Sequence, residues 1–168
     1  MESALTVAIC KALAAENIAS VRFNFRPFTD RALEPGGTAC LDLSAAFEML
    51  TAWEEIKPRS CGVVGYSAGA AAIAGQMPNL KKVKAAALIS PPISAIKASG
   101  IVDDKRPKAV ICGSGDKIAN FNELQSITAS MRRPAVFVGI HGAGHTLTGY
   151  EDEVATTAAA FMSEWLRK

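Results

Sequence analysis

Two histidines, two tyrosines and two tryptophans are all that 168 residues contain of these types, and these scarcities narrow the chemistry. His141 and His145 are the whole imidazole supply, and the four cysteines (Cys10, Cys40, Cys61, Cys112) form no Cys-x-x-Cys pair. No metal ligands stand at a recognised spacing, so neither a zinc centre nor a disulfide framework is expected. Three of the cysteines lie in apolar segments, where a thiol behaves as a small hydrophobe. Net charge is only +2, and two basic clusters, Lys81, Lys82, Lys84 and Lys105, Arg106, Lys108, lack interleaved aromatics that could stack on bases. They read as solvated surface, not as a nucleic-acid site. No apolar stretch approaches the ~20 residues that cross a bilayer, which argues against a membrane partner. Met1-Glu2-Ser3-Ala4-Leu5 lacks the positive charge of a signal peptide, and Lys11 interrupts the nearby apolar run. Reduced cysteines and no export signal predict a cytoplasmic location. Glycine-rich loops are present but match no dinucleotide or phosphate pattern, so no cofactor is expected.

What is present is a folding composition: 49% apolar and 20% charged residues, enough for one domain spanning 1–168. Leu5, Ala8, Ile9, Ala12 and Leu13 recur at helical spacing, with Ser3 as N-cap and Asn17 as stop. The run Ala19-Ser20-Val21-Arg22-Phe23-Asn24-Phe25 reads as a strand. Helical periodicity returns from Cys40 to Ile56 and ends at Pro58. Ser60 to Tyr66, Ala85 to Ser90, Ala109 to Cys112 and Ala135 to Ile140 are short apolar strands. Helices are expected over Ala68 to Gln76, Asn122 to Met131 and Glu151 to Lys168. Alternation of this kind predicts an α/β fold, a three-layer α/β/α sandwich with a mainly parallel sheet of about five strands.

Within that frame, Gly65-Tyr66-Ser67-Ala68-Gly69 joins a strand to an alanine-rich helix. A serine hydroxyl is a poor nucleophile unless a base lies within hydrogen-bond reach and a carboxylate orients that base. A Gly-x-Ser-x-Gly turn presents the hydroxyl on a sharp strand-to-helix bend that admits only small neighbours. The carboxylate is expected at the end of a later strand, where Gly113-Ser114-Gly115-Asp116 lies, and the base after the last strand, in Gly142-Ala143-Gly144-His145. Ser67, Asp116 and His145 are therefore the candidate catalytic residues, with the Ala68 N–H as oxyanion donor. His141 is the alternative base, and Asp103, Asp104 and Glu151 are alternative acids. Tyr66 and Ile118 are candidate substrate-binding residues, as are Pro91 and Pro92.

These segments resemble the compact dienelactone hydrolase-like group of α/β-hydrolases. Val21 to Arg26 is similar to that group's strand and turn, Gly65 to Gly69 to its elbow, Gly113 to Asp116 to its acid turn and Gly142 to His145 to its base loop. The resemblance implies a serine hydrolase of carboxylic esters. Pro27 stands where the group has glycine, which stiffens the turn. The group also has strands ahead of the first helix, and a loop there that donates a second oxyanion N–H. The sequence here starts after them, so either the Val21 and Val63 strands pair directly or a gap must be filled by another chain. The segment from Pro91 to Pro107 is too short for a helical cap, so an open cleft and a small acyl ester substrate are expected. The alternative is a catalytically inactive binding or assembly module of the same fold, possible as a homo-oligomer.

Overall fold

The computed structural model describes residues 3–27, 31–34 and 36–168. Its sheet contains β1 (Cys61–Tyr66), β2 (Val83–Ile89), β3 (Lys108–Gly113) and β4 (Ala135–Ile140), parallel throughout and adjacent in chain order. β2 and β3 are central, and Leu88, Ile89, Val110 and Ile111 are fully buried. A parallel strand covered on both faces needs such an unbroken apolar run. Each of these larger side chains contributes roughly 1.5–3 kcal/mol by leaving water.

Six helices complete the described fold: α1 (Ala4–Ala15), α2 (Thr38–Thr51), α3 (Ala68–Gln76), α4 (Ile93–Ala98), α5 (Phe121–Ser130) and α6 (Glu151–Leu166). One face of the sheet is covered by α1 and α6, through Leu5, Ile9, Leu13, Val154 and Met162. The other is covered by α2, α3, α4 and α5, through Leu43, Phe47, Ile73, Ile96 and Leu124. The result is the expected three-layer α/β/α sandwich. The 91–107 connection carries only the six-residue α4 and a 3-10 turn at Gly100–Val102. Ile96 and Ile101 are fully buried in the core, so this connection packs inward and forms no lid.

Two expectations are corrected. Among the described residues the sheet has four strands, because residues 18–27 lie outside it. Burial there still alternates, with Val21, Phe23 and Phe25 half-buried and Arg22, Asn24 and Arg26 exposed, the period of a strand. Local pattern produces that alternation, but a ladder needs a neighbour. β1 is the terminal strand of the sheet, and a slot of about 700 Å³ separates it from residues 18–25. The second correction concerns the basic cluster at 105–108. Lys108 is fully buried, and its Nζ donates to the carbonyls of Asp104 (2.6 Å), Arg106 (3.0 Å) and Arg132 (3.0 Å). Arg106 is half-buried against the Asp104 carboxylate at 2.5 Å. Neither belongs to a solvated surface.

Candidate active site

β1 ends at Tyr66, and the chain turns into α3 through Ser67, whose φ of 49° and ψ of −108° fall in a region that L-residues rarely adopt. Such a backbone costs on the order of 1–3 kcal/mol and persists only where its surroundings impose it. Here the Ser67 N–H donates to the Ile89 carbonyl at 2.9 Å, and the Ser67 carbonyl accepts from the Ala71 N–H at 3.0 Å. A Cβ at Gly65 would lie 2.5 Å from the Gly69 carbonyl carbon. The helix can therefore fold back over the strand only if residue 65 is glycine. Gly69 is not constrained in the same way, since a Cβ there would meet only the Phe25 ring at 3.9 Å.

Asp116 and His145 come from loops at the same end of the sheet. The Gly115 N–H donates to the Ala143 carbonyl at 2.9 Å, and the Gly142 N–H to the Ser114 hydroxyl at 2.9 Å. A Cβ at Gly113 would sit 2.2 Å from the Ala143 carbonyl oxygen, so glycine lets the two loops touch. Gly142 takes a φ of 77°, which reverses the chain after β4.

These loops bring the three expected residues together. Ser67 Oγ lies 3.1 Å from His145 Nε2, and His145 Nδ1 lies 2.9 Å from Asp116 Oδ2 and 3.1 Å from Oδ1. The Asp116 side chain is fully enclosed and that of His145 is 17% exposed. Burial pushes the Asp116 carboxyl up, but the N–H of Ala119 at 2.8 Å, His145, the Ser90 hydroxyl and the N–H of Ile118 at 2.9 Å together hold it below its ordinary value. A carboxylate ionised at neutral pH favours an Nδ1–H tautomer, which leaves Nε2 facing Ser67 as an acceptor.

Among family models, that of the dienelactone hydrolase family matches residues 28–168. The chain belongs to the dienelactone hydrolase family. Its fold is shared with a serine hydrolase without lid from Xanthomonas campestris, at a TM-score of 0.83 and 20% identity over 100% of this chain and 76% of that one. The esterase domain of a Rhodothermus marinus protein matches at 0.77 and 19%, over 97% and 81% of the two chains. Ferulic-acid-bound Est1E of Butyrivibrio proteoclasticus matches at 0.83 and 15%, over 99% and 85%. No curated protein matches in sequence. The protein thus has the α/β-hydrolase fold of these structures.

In this dienelactone hydrolase family member, the other candidate acids and bases lie elsewhere. His141 and Asp103 are exposed, Asp104 pairs with Arg106, and Glu151 accepts from the Gly149 N–H at 2.8 Å. Ile118 stands 71% exposed and serves the site through its backbone N–H. Tyr66, expected to line a pocket, donates its hydroxyl to the His145 carbonyl at 2.9 Å. Burial and then the Asp116 charge push its phenol up, so it stays a donor.

Two residues at the site escaped the sequence reading. Ser90, after β2, has a φ of 43° and a fully buried hydroxyl that makes no well-aligned hydrogen bond, yet it lies close enough to lower Asp116. A lone serine before Pro91-Pro92 carries no motif that would single it out. Cys112 points its thiol at Asp116 Oδ2 from 3.8 Å, and burial followed by that charge pushes it up to about 12. It is an inert thiol at neutral pH. Among the described residues no cluster of His, Cys, Asp and Glu could hold a metal ion, and no helix is long and apolar enough to cross a membrane.

Proposed function

We propose that this protein hydrolyses carboxylic esters through an acyl-enzyme on Ser67. The observation that carries the reading is the unbroken hydrogen-bonded sequence from Ser67 Oγ through His145 to the buried Asp116. In the first step Oγ attacks the ester carbonyl while His145 Nε2 takes its proton. The tetrahedral intermediate collapses as that proton passes to the departing alkoxide, which leaves as the alcohol. Water then attacks the acyl-enzyme with His145 again as base, and the carboxylic acid departs. Asp116 orients the imidazole and stabilises its charged form.

Ala68 is the first residue of α3, so its N–H has no acceptor within the helix and carries the positive end of the helix dipole. That N–H supports the oxyanion. One missing oxyanion donor typically lowers turnover ~10²-fold to 10³-fold, so slow rather than absent turnover is expected if Ala68 acts alone. With no helical cap from the 91–107 connection, small or exposed acyl groups suit the site, and a cytoplasmic setting fits a protein with four free thiols.

A fluorophosphonate probe tests the nucleophile directly, alongside p-nitrophenyl acetate turnover. Probe uptake by the wild type and none by Ser67→Ala is the expected result. Equal labelling of the two would overturn the assignment. A wild type that neither labels nor turns over ester would instead favour a non-catalytic module.

A further inference from the structure

Ser90 stands where the two sides of the site meet. It follows β2, which lies between the strand that leads to Ser67 and the strand that leads towards Asp116. The peptide unit joining Ile89 to Ser90 accepts from the Ser67 N–H at 2.9 Å and donates to the Ile111 carbonyl at 2.8 Å. Its backbone is pinned on both sides. Because Ile89 pairs with Ile111, the register continues to Cys112 opposite Ser90, and the Cys112 thiol points at Asp116 Oδ2.

Two costs are retained at this position. A φ of 43° is a left-handed backbone that glycine takes freely and serine does not. The hydroxyl is fully buried with no aligned partner among the described residues, although it lies against both the Asp116 carboxyl and the Cys112 thiol. A buried hydroxyl has given up its water and must recover the bond from a protein acceptor. Its proton turns about the Cβ–Oγ bond, so the acceptor decides where it points. Asp116 has the acceptor site that fits, since a carboxylate offers about four over its two oxygens. Oδ1 takes the N–H groups of Ile118 at 2.9 Å and Ala119 at 2.8 Å. Oδ2 takes His145 Nδ1 at 2.9 Å and, beyond that, faces the Cys112 thiol, a weak donor 3.8 Å away.

We infer that Ser90 is a positioning residue: its hydroxyl donates to Asp116 Oδ2 and, through that carboxylate, keeps the His145 ring aligned on Ser67. The contact stands on Asp116 alone, whereas its kinetic consequence rests on the ester-hydrolase reading proposed above. With strong donors on both oxygens the carboxyl plane is held against rotation about its Cβ–Cγ bond, and an imidazole bonded to it keeps its angle to the Ser67 hydroxyl. Backbone strain kept beside reacting groups accords with such a role. The same residue then serves both sides of the site, Ser67 through the Ile89–Ser90 peptide unit and Asp116 through its side chain.

The test compares Ser90→Ala and Ser90→Gly, each alone and combined with Asp116→Ala, by urea unfolding and by p-nitrophenyl acetate kinetics. Glycine relieves the backbone and alanine does not, so the pair separates the hydroxyl from the strain. Both single variants are expected to lower kcat about tenfold with KM unchanged, the worth of one hydrogen bond to a charged group. In the Asp116→Ala background neither should lower kcat further. The effect of Ser90→Ala on the folding equilibrium should likewise shrink from about tenfold to less than about twofold once the carboxylate is gone. If Asp116→Ala does not fold, Asp116→Asn takes its place, and the effect should shrink to about threefold because losing the charge roughly halves the bond. Thr128→Ala removes another buried hydroxyl, one that donates to the Leu124 carbonyl at 2.7 Å, and is expected to lower stability while kcat stays as it is. Wild-type kcat in Ser90→Gly would overturn the inference, as would losses that add in full to those of the Asp116 variant. A wild type without turnover would end the proposed activity and the kinetic role together, while the unfolding cycle still decides the contact.

Discussion

The Tyr66 hydroxyl donates to the main-chain carbonyl of His145, 79 residues away, at 2.9 Å. The residue just before Ser67 thereby holds the backbone of His145, and the two rings lie 5.8 Å apart. Tyr66→Phe removes one hydrogen bond and little packing, so stability is expected to fall by about 1 kcal/mol. Ester kcat is expected to fall about three- to tenfold, with KM nearly unchanged, because geometry and not binding is lost. Steady-state kinetics and urea unfolding on the same preparation check both halves of this expectation.

Asp116 gives a pH signature. Its carboxyl is held below its ordinary value despite burial, by two N–H donors, His145 and Ser90. A depressed acid adds stability that is fully present above its unfolded value of about 3.9 and is lost as pH falls through the lower folded value. The stability gap between wild type and Asp116→Asn should therefore hold from neutral pH down to about 4 and shrink below it. Urea unfolding at pH 7, 5 and 3 measures that gap. In ester turnover the same variant is expected to lose on the order of 10⁴-fold at neutral pH, through the wrong histidine tautomer.

Gly113→Ala places a Cβ within 2.2 Å of the Ala143 carbonyl oxygen, a main-chain atom in a loop held on both sides. Overpacking of this kind costs about 1–3 kcal/mol, and relief comes by moving the 141–145 segment outward. Turnover should thus drop by more than the stability loss implies. Gly100→Ala has no heavy atom within 4 Å of the added carbon and should leave both quantities unchanged. Thermal melts and ester assays on the pair distinguish local crowding from a general intolerance of alanine.

Lys108→Met tests the buried lysine. The carbonyls of Asp104, Arg106 and Arg132 lose their donor, and each buried unsatisfied group costs about 1–3 kcal/mol. Relief from burying a charge offsets part of this, since burial already pushes the Lys108 amine below its ordinary value. A net loss of about 1–3 kcal/mol is expected, with ester turnover retained. A chemical denaturation curve is sufficient to check it.

The readable parts of this molecule are those that neighbouring residues dictate. The elbow is legible because Gly65 and Ser67 face each other's constraints within a few residues. Asp116 and His145 are legible because each ends an apolar strand, and the chain order of the strands is also their order in the sheet. Lys108 was misread because its third acceptor, the Arg132 carbonyl 24 positions away, and the core that buries it are assembled only by folding. Residues 19–25 carry the alternation of a strand, and the structure keeps that alternation. Pairing, however, belongs to whatever lies alongside, which no local pattern contains. Tyr66 was expected to line a pocket, but its bond to the His145 carbonyl, 79 positions away, was not legible, and Ser90, 26 positions from Asp116, escaped for the same reason.

The tie between the 113–116 and 141–145 loops divides Ser67, Asp116 and His145 into two mechanical units. Asp116 and His145 are bolted to each other across β3 and β4, whereas Ser67 follows β1, the terminal strand at the other end of the described sheet. β1 and β4 each have a single neighbour in the described sheet, but only the loop after β4 is tied to its neighbour's, so fraying starts at β1. On warming, the hydroxyl should drift from the imidazole before the imidazole leaves its carboxylate. Inactivation would then precede the cooperative melt, with the gap between the two temperatures set by how firmly that outer strand is held.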